Sequence, residues 1–268
     1  MADSSKSYKL IISDFDGTLA GADHQISDKV KDAIHRWMSA GNLFTVASGR
    51  QFEMIGYDCR DLNIKTPFIV RGGAEIVDPI TREILFSEHI DKKTTKDFIN
   101  LMMSTKYRLF VEVGDSFYAN YDYDLSYYPS LKKLSIKDIP YVGSPKINVR
   151  ARSNEVEELE KFMKKNVIPK FPQLSMIRSY NALGMSWDIT SIKATKHLAI
   201  LNLMKILNID VSRTIGIGDG YNDFPLLEAV GFKVAMGNAN DELKEIADMT
   251  VPSLDDDGVA YLIDKLLE

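Results

Sequence analysis

The apolar run Leu10-Ile11-Ile12 is separated by a single serine from two aspartates, Asp14 and Asp16, with Gly17 behind them. A run this short reads as a buried strand, yet it delivers two mutually repelling carboxylates to one place. The grammar repeats: the apolar strand "NLFTVAS" (42–48) runs into Ser48-Gly49-Arg50, and "RTIGIGD" (213–219) runs into Gly218-Asp219-Gly220-Tyr221-Asn222-Asp223. Between the first two lies "ISDKVKDAIHRWMSAG" (26–41), with Ser27 as N-cap, apolar residues at Ile26, Val30, Ile34, Trp37 and Met38, and Gly41 as the stop. Strand, helix, strand in this order predicts right-handed crossovers and a parallel sheet, in which ligands bind beyond the C-terminal strand ends. Three polar clusters far apart in sequence are therefore expected at one sheet edge.

The same grammar continues elsewhere. "YKLII" (8–12) and "PFIV" (67–70) read as strands, and "ATKHLAILNLMKILNI" (194–209) as an amphipathic helix. "FPLLEAV" (224–230), "KVAMG" (233–237), "DELKEIA" (241–247) and "GVAYLIDKLL" (258–267) follow as helix, strand, helix and helix. Near residue 75 the texture changes. "AEIVDPITREILF" has the look of a hairpin turning at Asp78-Pro79, and the stretch to about 186 mixes two helical segments with strands broken at Gly114-Asp115 and Gly143-Ser144. The expected organisation is α/β: a Rossmann-like core of residues 1–82 and 188–268 with a parallel sheet, interrupted by an inserted α+β domain over 83–187.

With 268 residues the chain is long enough for a substantial core, and its 45% hydrophobic and 26% charged content is that of an ordinary globular protein. A formal charge of −5 with no basic block speaks against a nucleic-acid partner. The start, MADSSKSYKL, has no apolar signal core, and no stretch approaches a membrane span. The expectation is a cytoplasmic protein with no membrane partner, monomeric or weakly self-associating. The single cysteine, Cys59, reads as a partly buried thiol.

Taken alone, Asp14-Phe15-Asp16-Gly17 also fits a polar turn at a strand end. A calcium loop does not fit, because the sixth position from Asp14 is Leu19 and the twelfth is Gln25. Adding Asp219 narrows the choice: three carboxylates at one edge raise one another's pKa unless something compensates. With only oxygen donors offered, a hard divalent cation is expected, magnesium first, and magnesium's affinity for phosphate oxygens points to phosphoryl chemistry.

These residues resemble the haloacid dehalogenase superfamily, most closely its Cof-like phosphatases with a type IIB cap. "DFDGTL" (14–19) is similar to the first motif, Ser48 in "VASGR" to the second, Lys196 in "IKATKHLAI" to the third and "GDGYND" (218–223) to the fourth. "VAMGNA" (234–239), "AD" (247–248) and "DDDGVA" (255–260) fall where Cof-like chains carry comparable stretches. The resemblance implies that Asp14 is the nucleophile forming an aspartyl-phosphate and that Asp16 is the acid and base. It implies that Asp14, the Asp16 carbonyl and Asp219 hold Mg2+, with Asp223 supporting them. Phe15, Ser48, Gly49, Lys196 and Asn222 would bind substrate, with Ser48 and Lys196 also serving catalysis. Ser48 and Asn222 fit plain turn formers as well, Asp223 fits the N-cap of the helix at 224–230, and Lys193 competes with Lys196. His197 replaces a common glycine, and Gly72-Gly73 a common Asn-Gly pair.

The insertion would then be a cap that contacts the leaving group. Its aromatic stretch "FYANYDYDLSYY" (117–128) reads as core packing first and as a ligand surface second, and Arg178, Tyr180 and Trp187 are candidates to face a cleft. The function expected is a Mg-dependent phosphatase of small phosphorylated metabolites, sugar phosphates or phosphorylated cofactors. A phosphomutase and a non-enzymatic metabolite-binding protein on the same scaffold are the alternatives.

Overall fold

The computed structural model describes residues 8–268 apart from 123, 129, 141, 182 and 183, and apart from the side chains of 179–181. The chain forms two compact units, residues Met1–Phe86 with Lys196–Glu268, and Ser87–Thr195.

The first unit is built on a five-stranded parallel sheet. Its order is Met249–Thr250, Phe232–Ala235, Thr214–Gly218, Leu10–Ser13, Leu43–Val46. A parallel bridge between Ala47 and Ile69 adds Phe68–Val70 beside the last strand. Strand alternation sorts the core into two layers. Ile11 enters one cluster with Trp37, Phe44 and Ile263, under the helices Asp28–Ser39 and Gly258–Leu267. Leu10 and Ile12 enter the other with Leu203 and Leu226, under Lys196–Leu207 and Phe224–Glu228. Both faces being covered, Leu10–Ser13 and Thr214–Gly218 are buried throughout, which is why they read as unbroken apolar runs. Ser27 caps the first helix, its side chain accepting from the Val30 N–H at 3.1 Å.

The pairing register fixes the site. Ser13 stands opposite Ile217 on one side and Val46 on the other, so the chain leaves all three strands at the same level. Asp14, Ala47-Ser48 and Gly218-Asp219 therefore lie at one edge.

The second unit carries a six-stranded sheet in the order Leu174–Asn181, Gly184–Ser191, Ile147–Arg150, Arg108–Val113, Ser116–Ala119, Lys132–Ser135. All neighbours are antiparallel except the last pair. The helices Lys92–Met103 and Val156–Phe162 bury Phe98, Met102 and Leu159 against Leu109, Val149 and Trp187. The chain changes unit at Phe86/Ser87 and Thr195/Lys196 rather than at 82/83 and 187/188. The cause is strand length: Gly184–Ser191 pairs along its whole run with Leu174–Asn181, so "WDIT" stays in the second unit.

Candidate active site

Asp14 is the first residue past its strand, its N–H donating to the Ile217 carbonyl at 2.9 Å, and it is 2% exposed. Lys196, the first residue of its helix, lies 182 residues away in sequence and in contact in space. Its Nζ donates to Asp14 Oδ1 at 2.6 Å and to Asp223 Oδ1 at 2.7 Å, and all three residues are buried. Lys193, by contrast, is exposed.

Asp223 stands at the N-cap position of the helix Phe224–Glu228, as expected, but its side chain makes no capping hydrogen bond there. Its Oδ2 turns back to accept the N–H groups of Asp219 and Gly220, both at 3.0 Å. With both oxygens engaged, Asp223 fixes Lys196 and the turn carrying Asp219. A side chain at Gly218 would meet Asp223 Cβ at 2.6 Å, so the fold against the strand end requires glycine there.

Asp219 accepts from Thr18 Oγ1 at 2.8 Å. Gly17 has φ +82, and a Cβ on it would stand 2.3 Å from Asp219 Oδ2. The two clusters approach so closely that only glycine fits.

Carboxylate oxygens of Asp14, Asp219 and Asp223 all lie within 4.8 Å of one another. One ammonium serves three carboxylates, and the imbalance appears in their proton affinities. Burial, reinforced by Asp223 and Asp219 and opposed by Lys196, pushes Asp14 well above the usual carboxylate range. Burial and Asp223 push Asp219 up to about 7. Burial alone would lower Lys196, but Asp14 and Asp223 override it and raise it. Among the described residues no donor reaches Asp14 Oδ2 or Asp219 Oδ2. Two uncompensated oxygens, all-oxygen donors and excess negative charge are the donor chemistry of a hard divalent cation, so the residues fit one.

The carboxylate of Asp16 is outside this acidic group. It is half-exposed and ion-paired with Arg50. Phe15 has a fully buried ring in the core, which leaves any ligand contact to its backbone; its carbonyl already accepts the Leu19 and Ala20 N–H groups. Ser48 is buried at the strand end, its Oγ accepting the Arg50 N–H at 3.1 Å, beside Gly49. Asn222 is half-buried and folds over Gly220, where a Cβ would meet its Oδ1 at 2.5 Å.

Three residues the sequence reading passed over also serve this edge. Thr18 orients Asp219, Arg50 holds Asp16, and Asn238 Nδ2 donates to the Gly17 carbonyl at 2.8 Å. Thr18 belongs to "DFDGTL", Arg50 to "VASGR" and Asn238 to "VAMGNA", but none of these motifs by itself names a partner for it. In the second unit, Phe117, Tyr118 and Tyr128 are buried, as packing requires, whereas Tyr127 is exposed. Trp187 is in the core and Arg178 pairs with Glu160 at 2.8 Å, so neither is a free cleft residue; the Tyr180 side chain lies outside the described residues.

Comparison with known proteins agrees with this geometry. The model of the haloacid dehalogenase-like hydrolase family matches residues 11–263. Phosphatase YwpJ of Bacillus subtilis (strain 168) is 30% identical over 290 residues, covering 97% of this chain and 100% of that protein. The 5-amino-6-(5-phospho-D-ribitylamino)uracil phosphatase YwtE of the same organism is 27% identical over 97% of this chain and 98% of its own. A haloacid dehalogenase-like hydrolase structure from B. subtilis superposes with a TM-score of 0.81 at 28% identity, covering 96% and 99% of the two chains. The chain belongs to the haloacid dehalogenase-like hydrolases, as one of the Cof-like phosphatases. Among the described residues no helix is long and apolar enough to cross a membrane.

Proposed function

We propose that the chain is a Mg2+-dependent phosphatase that releases phosphate from small phosphorylated metabolites through an aspartyl-phosphate on Asp14. The carrying observation is the buried Asp14–Lys196–Asp223 triad beside Asp219, at the edge where three strands end. A carboxylate is a recognised covalent nucleophile, and Lys196 holds Asp14 by one oxygen, leaving the other to attack phosphorus. Lys196 also carries a fixed positive charge beside the phosphoryl group, where phosphoryl transfer gains most from positioning and electrostatics. Ser48, the Gly49 N–H and Asn222 bind the phosphoryl oxygens. Asp16 gives a proton to the leaving oxygen and later takes one from the attacking water. Asp14, the Asp16 carbonyl and Asp219 hold Mg2+, which when bound offsets the excess carboxylate charge and polarises phosphate. Asp223 sets both Lys196 and the Asp219 turn.

The second unit, Ser87–Thr195, serves as the cap and selects the leaving group. Sugar phosphates come first as substrates; YwtE and a second B. subtilis relative, YcsE, are named as phosphatases of 5-amino-6-(5-phospho-D-ribitylamino)uracil, which adds that class of compound to the candidates. Phosphorylated cofactors come second. The test is a panel of phosphorylated metabolites and p-nitrophenyl phosphate with Mg2+, scored by phosphate release, with Asp14→Asn alongside. Release by the wild type and its loss in Asp14→Asn is the expected result; release at the wild-type rate by the variant overturns the assignment of the nucleophile.

A further inference from the structure

Arg50 has a geometry that ordinary surface ion pairs lack. Its guanidinium lies across both oxygens of Asp16, Nε donating to Oδ2 at 2.8 Å and Nη2 to Oδ1. From the far side Nη1 donates to Asp58 Oδ2 at 3.3 Å, and the Asp58 side chain has no exposed surface. Nη2 also reaches His24 Nδ1 at 2.8 Å. A guanidinium has only donors, so that ring nitrogen accepts and the His24 proton sits on Nε2. The Phe15 ring lies beneath, its centroid 5.2 Å from Arg50 Cζ. The backbone is pinned as well, with the Arg50 carbonyl accepting the Arg71 N–H at 2.7 Å.

Arg50 is thus fixed by groups other than Asp16. Its side chain is 13% exposed, against 51% for that of Asp16. That asymmetry gives the direction of the effect: the buried fork orients the exposed carboxylate, and not the reverse. Exposed ion pairs contribute little, but a planar fork set in advance by its own anchors confers geometry on its partner. Asp16, Asp58 and His24 together take four of the five guanidinium N–H groups, so the fork is committed to these partners.

We propose that Arg50 is the positioning residue for Asp16, holding it for both proton transfers; this rests on the phosphatase reading above. In the first half-reaction an Asp14 oxygen bonds to phosphorus and the ester P–O bond breaks. The proton on one Asp16 oxygen passes to the departing oxygen, while the other oxygen stays on Arg50. The resulting carboxylate returns both oxygens to the fork. In the second half-reaction it takes the proton of the water that attacks phosphorus, which restores Asp14 and frees phosphate.

The test compares two esters of similar shape, phenyl phosphate and p-nitrophenyl phosphate, using the full chain with Mg2+. Phenoxide needs a proton on leaving far more than p-nitrophenoxide does. The readout is the ratio of kcat for phenyl to p-nitrophenyl phosphate, in wild type, Arg50→Gln, Asp16→Asn and the double variant. Arg50→Gln is expected to lower the ratio about tenfold in the wild-type background and to leave it unchanged in the Asp16→Asn background. An unchanged ratio in the first background, or an equal fall in both, overturns the proposal. If Arg50→Gln does not fold, Arg50→Lys enters the same cycle, since it keeps the charge but cannot span two oxygens. The phosphatase reading fails by a different sign: no phosphate from either ester in the wild type, or full activity in Asp14→Asn.

Discussion

Each of the two units buries a lysine against an aspartate, and the two arrangements differ in their charge balance. In the second unit Lys146 meets Asp188 at 2.8 Å, the other Asp188 oxygen accepts from the Asn148 amide, and Asn148 in turn accepts from Arg150 Nε at 2.7 Å. There Lys146 and the Asn148 amide between them satisfy both Asp188 oxygens. At the sheet edge of the first unit, Lys196 faces Asp14 and Asp223 with Asp219 close by, and among the described residues no donor is shown for the second oxygen of Asp14 or of Asp219. Buried charge alone therefore does not mark a site. The unmatched remainder does, because it has to be met by protons, by a cation or by a substrate.

The sharpest way to break this comparison is to remove the lysine from each pair. Lys196→Met should cut phosphate release from p-nitrophenyl phosphate by at least about 10²-fold, the scale of losing one preorganised electrostatic group. Lys146→Met should leave kcat for the same ester unchanged and instead lower stability by about 3–5 kcal/mol, the cost of orphaning a buried partner, read by urea unfolding. If Lys146→Met abolishes kcat while the protein remains folded, the distinction between the two networks is lost.

Next in size is the response to cation. With Asp219 pushed up to about 7, its folded form binds a proton more tightly than the unfolded chain. Its contribution to stability without cation is then complete below the ordinary carboxylate value and is lost as pH rises through about 7. A divalent cation bound at Asp219 would replace that proton, so under the proposed function millimolar Mg2+ should raise Tm more at pH 8 than at pH 5.5. Asp219→Asn should raise the metal-free Tm at pH 8, by relieving repulsion, and abolish the Mg2+ response. An equal Mg2+ shift at both pH values would show that the ion binds elsewhere.

Much of this edge was legible in the sequence because parallel strands announce themselves. Leu10–Ser13 and Thr214–Gly218 are buried on both faces, so their apolar runs are unbroken and the residues behind them must share an edge. The helix spacing before Gly41 and the Ser27 cap were equally plain. The second unit was harder to read. Leu174–Asn181 and Gly184–Ser191 form its longest hairpin, but with serines, an arginine and an aspartate among their residues they lack a clean run, and neither was identified along its length. The short helix Phe52–Asp58 was missed for a related reason: no cap side chain marks its start. Side-chain direction was the other blind spot. Nothing in "DFDG" says that Asp14 turns inward to Lys196 while Asp16 turns to Arg50; only the packed fold, with Asp58 anchoring Arg50 from behind, decides it.

The smallest expected effect lies at that same anchor. Burial, and then the Arg50 charge, hold His24 below the usual histidine range. The folded state therefore prefers neutral His24, while the unfolded chain takes up its proton first as pH falls. The resulting stability is complete above the ordinary value of 6.5 and is lost as pH falls through the depressed folded value. A charged His24 would also point an N–H at Arg50, so the two must part. The side chain remains partly open to water, which screens the effect. The drop in Tm between pH 7 and pH 5 should therefore be shallower in His24→Gln than in wild type by no more than about 2 °C, with the measurements made in EDTA to keep the cation response out. A steeper drop in the variant would mean that His24 gains a proton on folding, and that the Nδ1 contact to Arg50 is not the one that sets its charge.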